Sequence, residues 1–353
     1  MTAVSTSRLY EIDLLRFLAA LAVVFYHYSF RAFESHGLAI ARWDAVGEFS
    51  RYGYLGVELF FMISGFVILL SAHDRSTTAF VRSRLVRLYP AYWLAVTLTA
   101  LVLLAWGSGK FSVSFGQYLV NLTMLQKFFG VRHVDGVYWT LVVELKFYFL
   151  VWLLLRTGAM SQLRRWLWCW LGVAGLALLL PDGIADRLDS LLLAQWAPFF
   201  SIGIACFLLR GSSRHRSDWL LLLLATGLAG GIAAVDAAEL STNYRQPISP
   251  TVAVAIVIGF ATIFAALALD WTHWLRWSWL APLGDLTYPL YLLHAYIGYT
   301  LMQRLNNGEP EPALVLTLAV VMVVFAWLFH RYAEAPVAER LRVVLQRFRP
   351  ATR

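Results

Sequence analysis

Arg16 and His27 stand eleven positions apart in the run RFLAALAVVFYH, whose other residues are aliphatic, aromatic or alanine. Three α-helical turns take about 10.8 residues and rise about 16 Å, so both side chains point to nearly one face. An imidazole there suits general acid–base or nucleophilic work. A guanidinium suits an anion. Asp13, one turn before Arg16, is placed to pair with it. Ala20 and Val23 leave a narrow stripe between the two polar residues, where another helix or a slender ligand could approach. A plainer reading is equally open: Arg16 snorkels to a membrane surface and His27 is a hydrogen-bonded structural residue.

Four further stretches carry polar groups in apolar surroundings. GYLGVELFFMISGFVILL (53–70) places Glu58 near one end of a helix, and Ser64 and Gly65 suit close packing. FVRSRLVRLYPAYW (80–93) sets Arg84 and Arg87 one helical turn apart, which suits either a phosphate clamp or membrane anchoring. YWTLVVELKFYFL (138–150) places Glu144 two turns into its helix, at a depth comparable with His27. A carboxylate at that depth can orient an imidazole and stabilise its protonated form, as Glu58 also could; a structural pairing with another helix is the alternative. LGDLTYPLYLLHAY (283–296) holds Asp285, Thr287, Tyr288 and His294, with Pro289 expected to bend the helix. No His/Cys spacing suits a metal, and no phosphate-binding glycine loop or nucleophile elbow is present in the sequence.

The solvent that positions these residues follows from composition. Of 353 residues, 60% are hydrophobic and 14% charged, against about 25% charged in soluble domains. Mean hydropathy is +0.65. The net charge of +8 could suggest nucleic acid, but the basic residues lie in short segments between apolar runs, which is a membrane pattern. Ten runs have spanning length: roughly 11–30, 54–72, 88–106, 138–155, 165–180, 189–209, 218–236, 250–269, 279–303 and 311–330. The expected fold is therefore an all-α integral membrane protein of about ten transmembrane helices. Lys and Arg fall about two to one on the side shared by both ends, Lys110 counting outside and Arg349 and Arg353 inside, so both termini are expected in the cytoplasm. Residues 1–332 are read as one membrane domain, and 333–353 as a basic amphipathic tail on the inner surface. The segment 107–137 is expected to lie along the outer interface or to dip back into the protein. The N-terminus lacks the pattern of a cleavable signal, because Glu11, Asp13 and Arg16 flank its apolar run. Cys169 and Cys206 read as small core residues.

In the order Arg16–His27, GVELFFMISGF, RLVRLYPAYW, YWTLVVELKFYFL and LGDLTYPLYLLHAY, the chain resembles the membrane-bound acyltransferase family 3 over residues 11–296. The resemblance implies ten helices in a cell inner membrane, a cytoplasmic acyl-CoA donor, and transfer of acetyl or a similar acyl group. The acceptor it implies is a hydroxyl of an extracytoplasmic carbohydrate such as lipopolysaccharide or exopolysaccharide. It makes His27 the essential histidine, Glu144 the fourth-helix carboxylate, and Arg16, Arg84 and Arg87 donor-binding residues. Asp13, Glu58, Tyr288 and His294 would bind substrate or support the site. Acetyl-CoA enters as a substrate, and neither a tightly bound cofactor nor a metal is expected. Lys146 departs from the polar neutral residue expected there and questions the charge balance around Glu144. An extracytoplasmic hydrolase-like domain, common in the family after the last helix, is not expected here. The alternative class is a secondary transporter with a buried His/Glu/Arg path, disfavoured by the lack of inverted repeats and paired helix breaks.

Overall fold

A computed structural model describes residues 8–72, 75–107, 109 and 111–347. Lys110, Arg349 and Arg353, used above for topology, lie outside the described residues. Among the described residues the chain is helical, with no strand. In order it forms α1 (Tyr10–Tyr26), a π-helical turn (His27–Arg31), α2 (Ala32–His36), α3 (Asp44–Ser50), α4 (Gly56–Ala72) and α5 (Thr77–Trp106). Then come α6 (Phe115–Asn121), α7 (Trp139–Thr157), α8 (Leu163–Ala177), α9 (Asp182–Leu192) and α10 (Ala197–Arg210). The last are α11 (Arg216–Tyr244), α12 (Pro250–Ala268), α13 (Ala281–Leu305), α14 (Pro312–Phe329), a second π turn (His330–Glu334) and α15 (Ala335–Arg347).

Seven helical segments are long and apolar enough to cross a membrane: Tyr10–His36, Gly53–Ala72, Thr77–Trp106, Gly136–Thr157, Arg216–Tyr244, Pro250–Ala268 and Pro312–Arg347. An eighth results if α9 and α10, bent by 41° at their junction, form one span. The expected spans at 165–180 and 279–303 are not among them. The first corresponds to α8, only 15 residues long, which is about 22 Å against a hydrocarbon core of about 30 Å. The second corresponds to α13, with 25 residues, whose Asp285, Thr287, Pro289, His294 and Arg304 dilute its apolar character.

The chain divides into two compact units, each assembled from separated stretches. One contains residues 1–19, 54–76 and 143–281. Here α4 lies against α10 at Gly65 and Gly203: a Cβ on the first would overlap the Phe200 carbonyl, and on the second the Met62 carbonyl. Such small residues let helix backbones meet closely without a hydrophobic drive from lipid. Phe147 stacks on Phe200 at 4.1 Å between centroids. At the ends of the helices charges are paired. Arg164 clasps fully buried Asp218 with bonds of 2.7 and 3.1 Å, and Asp218 also accepts the His215 N–H. Arg276 bonds Glu11 at 3.1 Å and also pairs with Asp270. Both cysteines are free, Cys169 exposed and Cys206 buried.

The other unit contains residues 20–53, 77–142 and 282–353. In it α15 packs along α5. The 107–137 stretch folds on itself: Ser114 and Gln117 form a capping box at the start of α6. Fully buried Asn121 donates to the Arg132 carbonyl and accepts the Val134 N–H. Phe115, Phe128 and Phe129 remain exposed.

Asp218→Ala would leave the Arg164 guanidinium and the His215 N–H without their acceptor. Breaking a buried pair costs about 3 kcal/mol, at the low end of its range here because Arg164 is partly exposed. A clear fall in the melting temperature of the detergent-purified protein is expected, and an unchanged one would mean the pair does not hold α8 to α11.

Candidate functional site

His27 ends the α-helical part of the first segment and begins the π turn. A π turn is rare and recurs at functional sites. His27, Tyr28, Ser29 and Phe30 are all buried. The His27 ring meets that of His294 edge-on, 4.9 Å between centroids, with His27 Nδ1 and His294 Nε2 3.3 Å apart. The two residues are 267 positions apart in sequence and share one compact unit.

The surrounding carbonyls fix where the ring protons sit. His294 Nδ1 lies 2.8 Å from the Tyr291 carbonyl and 3.2 Å from that of Leu290. A carbonyl only accepts, so in the neutral ring Nδ1 carries the proton and Nε2 a lone pair. His27 Nδ1 lies 2.8 Å from the Val23 carbonyl, so it too is protonated and shares its N–H with His294 Nε2. The lone pair of His27 is thereby assigned to Nε2, which makes no hydrogen bond among the described residues. A ring in that tautomer can take a proton at Nε2, and the imidazolium so formed keeps both acceptors on its Nδ1–H. An acceptor at Nδ1–H is also what an Asp provides to the histidine of a serine-hydrolase triad.

Neighbouring contacts hold the pair. Tyr28 donates to the His294 carbonyl at 2.6 Å. A Cβ at Gly298 would overlap the Tyr28 phenol, so the ring reaches α13 only over that glycine. Tyr299 lies 6.0 Å from His27 and 4.6 Å from His36 between centroids. Neither Tyr28 nor Tyr299 stands out in sequence, because aromatic residues are common throughout the chain.

Arg87 meets Tyr288 in the same unit, and Arg84 lies one turn before Arg87 on α5. The Arg87 guanidinium lies over the Tyr288 ring at 5.9 Å, and Tyr288 donates to the Leu88 carbonyl at 3.3 Å. Arg84 donates to Ser83 Oγ and lies over Phe80 at 5.9 Å. Both arginines are half-buried, and His330, bonded to Glu334 at 2.8 Å in the second π turn, lies within electrostatic reach of Arg87.

The other expected site residues fall in the first unit. Glu144 Oε1 accepts from Tyr148 at 2.6 Å and from Ser64 at 3.1 Å. Its carboxylate is thus held by two neutral hydroxyls. Lys146 turns to donate to the Ser190 carbonyl at 2.8 Å, which accounts for its place two residues from Glu144. Glu58 is buried, and its Oε2 makes no hydrogen bond among the described residues. Asp13 accepts from Arg8 at 2.6 Å, and Arg16 is half-buried. No three His, Cys, Asp or Glu side chains among the described residues form a metal site.

An acyltransferase domain model matches residues 9–331. Acyltransferase MdmB of Streptomyces mycarofaciens is 27% identical, over 93% of this chain and 91% of that protein. Nodulation protein 10 of Rhizobium leguminosarum bv. viciae is 29% identical, over 70% and 72%. Exopolysaccharide production protein ExoZ of Rhizobium meliloti (strain 1021) is 25% identical, over 85% and 94%. No solved structure matches.

The Tyr28–Gly298 contact gives a direct check of the site's packing. Gly298→Ala should lower the melting temperature, because the methyl drives Tyr28 off the His294 carbonyl. Gly259→Ala, on α12 with open space around it, should leave stability equal or raise it by about 0.5–1 kcal/mol. Equal behaviour of the two variants would contradict the packing described.

Proposed function

The chain belongs to acyltransferase family 3, and from that membership we propose that it is an O-acetyltransferase moving acetyl from cytoplasmic acetyl-CoA to a hydroxyl of an extracytoplasmic carbohydrate. The carbohydrate acceptor is supported by the relative whose name states exopolysaccharide production. The proposed topology is ten passes through the inner membrane with both termini in the cytoplasm, in keeping with the two-to-one distribution of Lys and Arg.

The observation that supports the mechanism is the histidine pair, in which His27 Nδ1 lies 2.8 Å from the Val23 carbonyl and 3.3 Å from His294 Nε2, an arrangement that leaves His27 Nε2 for the acceptor. His27 Nε2 takes the proton of the acceptor hydroxyl as its oxygen attacks the thioester carbonyl. The tetrahedral intermediate collapses with cleavage of the C–S bond, and the CoA thiolate recovers the proton from Nε2. One ester forms, one thioester breaks, and His27 returns to its neutral state. General-base help of this kind is worth about 10²–10⁴-fold. His294 supports the step by accepting from Nδ1–H. Arg84 and Arg87 hold the donor's phosphates, with Tyr288 packed on the Arg87 guanidinium. Arg16 meets the donor deeper along the first helix, with Asp13 and Glu58 as supporting residues. Glu144, held by Ser64 and Tyr148, serves turnover rather than donor affinity.

The test uses sealed vesicles of known orientation with radiolabelled acetyl-CoA. Donor should work only from the cytoplasmic face, and an impermeant acceptor should become acetylated only on the opposite face. His27→Ala should abolish transfer while insertion and CoA binding persist. Reaction of both substrates from one face would overturn the through-membrane route, and residual activity within a few-fold of wild type would overturn the base assignment.

A second measurement separates donor binding from membrane anchoring. The double variant Arg84→Lys and Arg87→Lys keeps the charge but loses the planar fork that matches phosphate. It should insert normally and bind acetyl-CoA about tenfold or more weakly. Unchanged donor affinity would return the pair to an anchoring role.

A further inference from the structure

Asp135 has no place in the mechanism above, yet it is fully buried and both carboxylate oxygens are engaged. It precedes a short 3-10 turn, Gly136–Tyr138, at the start of α7. Its Oδ1 accepts the Val137 N–H at 3.1 Å, which caps that turn. Its Oδ2 accepts the Tyr296 N–H at 2.8 Å. Tyr296 lies inside α13, two residues beyond His294. Within a helix that N–H would ordinarily face the Leu292 carbonyl. Here the Leu292 carbonyl also accepts from outside, from the Tyr138 hydroxyl at 3.3 Å.

The same short stretch reaches α13 once more. Tyr291 pairs its hydroxyl with Thr140 Oγ1 at 2.9 Å and donates to the Val137 carbonyl at 3.4 Å. Residues 135–140 therefore contact α13 at 291, 292 and 296, on both sides of His294. Tyr28, from the π turn, holds the His294 carbonyl itself. Arg31, the last residue of that turn, lies within electrostatic reach of Asp135. Pro289 supplies no N–H to the preceding turn of α13, so this part of the helix has fewer internal bonds to keep its course.

We propose that Asp135 is a positioning residue: by tying the Gly136–Tyr138 turn to the Tyr296 N–H, it sets the rotation and depth of the α13 segment that holds His294 against His27. This rests on the reading of His27 as the base and His294 as its support. Two features make the tie specific. Burial pushes the Asp135 carboxyl up to about 7, against the pull of its two N–H donors. An apolar side chain would avoid that desolvation cost but would take this acceptor from the Val137 and Tyr296 N–H groups. Gly136 also lies so close to Tyr296 that a Cβ there would meet the ring at 3.1 Å. The turn is pressed against α13 at the level of the bond.

The experiment measures kcat and the donor KM of the full-length protein in detergent, with kcat expressed per CoA-binding site so that unfolded molecules do not count. Asp135→Asn keeps one carbonyl oxygen and turns an NH₂ toward the second N–H, so one of the two ties is lost. A small displacement of a reacting group can cost about 10²-fold. We expect kcat per site at least fivefold below wild type, with donor KM within about twofold. Gly136→Ala, which leaves the carboxylate untouched and requires the turn or the Tyr296 ring to give by a few tenths of an ångström, should shift kcat in the same direction without raising donor KM, and it serves if Asp135→Asn does not accumulate. A loss of folded protein with kcat per site less than fivefold reduced, or a donor KM rising in step with the loss, overturns the proposal. Wild-type transfer and its loss in His27→Ala are run alongside. If those controls fail, the His27 reading falls and this proposal with it; if they hold and the Asp135 and Gly136 variants stay active, only the positioning role falls.

Discussion

An imidazole buried in an apolar helix must find an acceptor for its N–H, and in a hydrocarbon environment water does not supply one. The nearest acceptors are backbone carbonyls one turn back. Both His27 and His294 use them, at Val23 and Tyr291. That constraint fixes the two Nδ1 protons, and the proton positions then fix the rest of the centre. Once Nδ1 is committed, His294 offers a lone pair to His27, and His27 has only Nε2 left for chemistry. The order of the polar atoms thus comes from helix geometry, with no need for a buried charge at the pair.

The carboxylate of Glu144 illustrates the same economy in the other unit. A charged partner beside it would bring two desolvated ions together, which often gains little. Two hydroxyls hold it instead, from Ser64 and Tyr148. Lys146 spends its donor on a carbonyl of α9. Ion pairs gather at helix ends, as in Arg164–Asp218 and Arg276–Glu11, each with a partly exposed arginine. Partly solvated surroundings there lower the cost of keeping ions.

Much of this was legible in the sequence, because lipid imposes a simple rule on composition. The apolar runs at 54–72, 138–155 and 250–269 correspond to spans within two residues of those observed. His27 and Glu144 stood out because polar groups at membrane depth need a reason. The partner of His27 was not legible: sequence periodicity relates residues within one helix, and His294 is 267 positions away. A carboxylate was expected to orient His27, and a histidine is what the structure brings to its Nδ1. Asp135 was hidden for another reason. In HVDGVYW it reads as a turn residue, and only the fold reveals that its second oxygen reaches into α13. α8 and α13 show the limit of counting apolar residues: one is short, and the other is diluted by the polar side chains that make it interesting.

The π turn at His27–Arg31 has a consequence for how this sequence can change. A π turn holds one residue more than the α-helical turn it replaces, and each residue of an α-helix advances about 100° around the axis. Loss of a single codon between Tyr28 and Arg31 would turn the π turn back into an α-helical turn covering nearly the same rotation, so Ala32–His36 would keep its direction and the extra side chain that the wider turn presents beside His27 would be lost. The substitution tolerance of this stretch and its tolerance of length changes are therefore separate quantities. A substitution here acts on one contact, such as that of Tyr28 with the His294 carbonyl, whereas a change in the count of residues alters which side chains the turn presents beside the histidine.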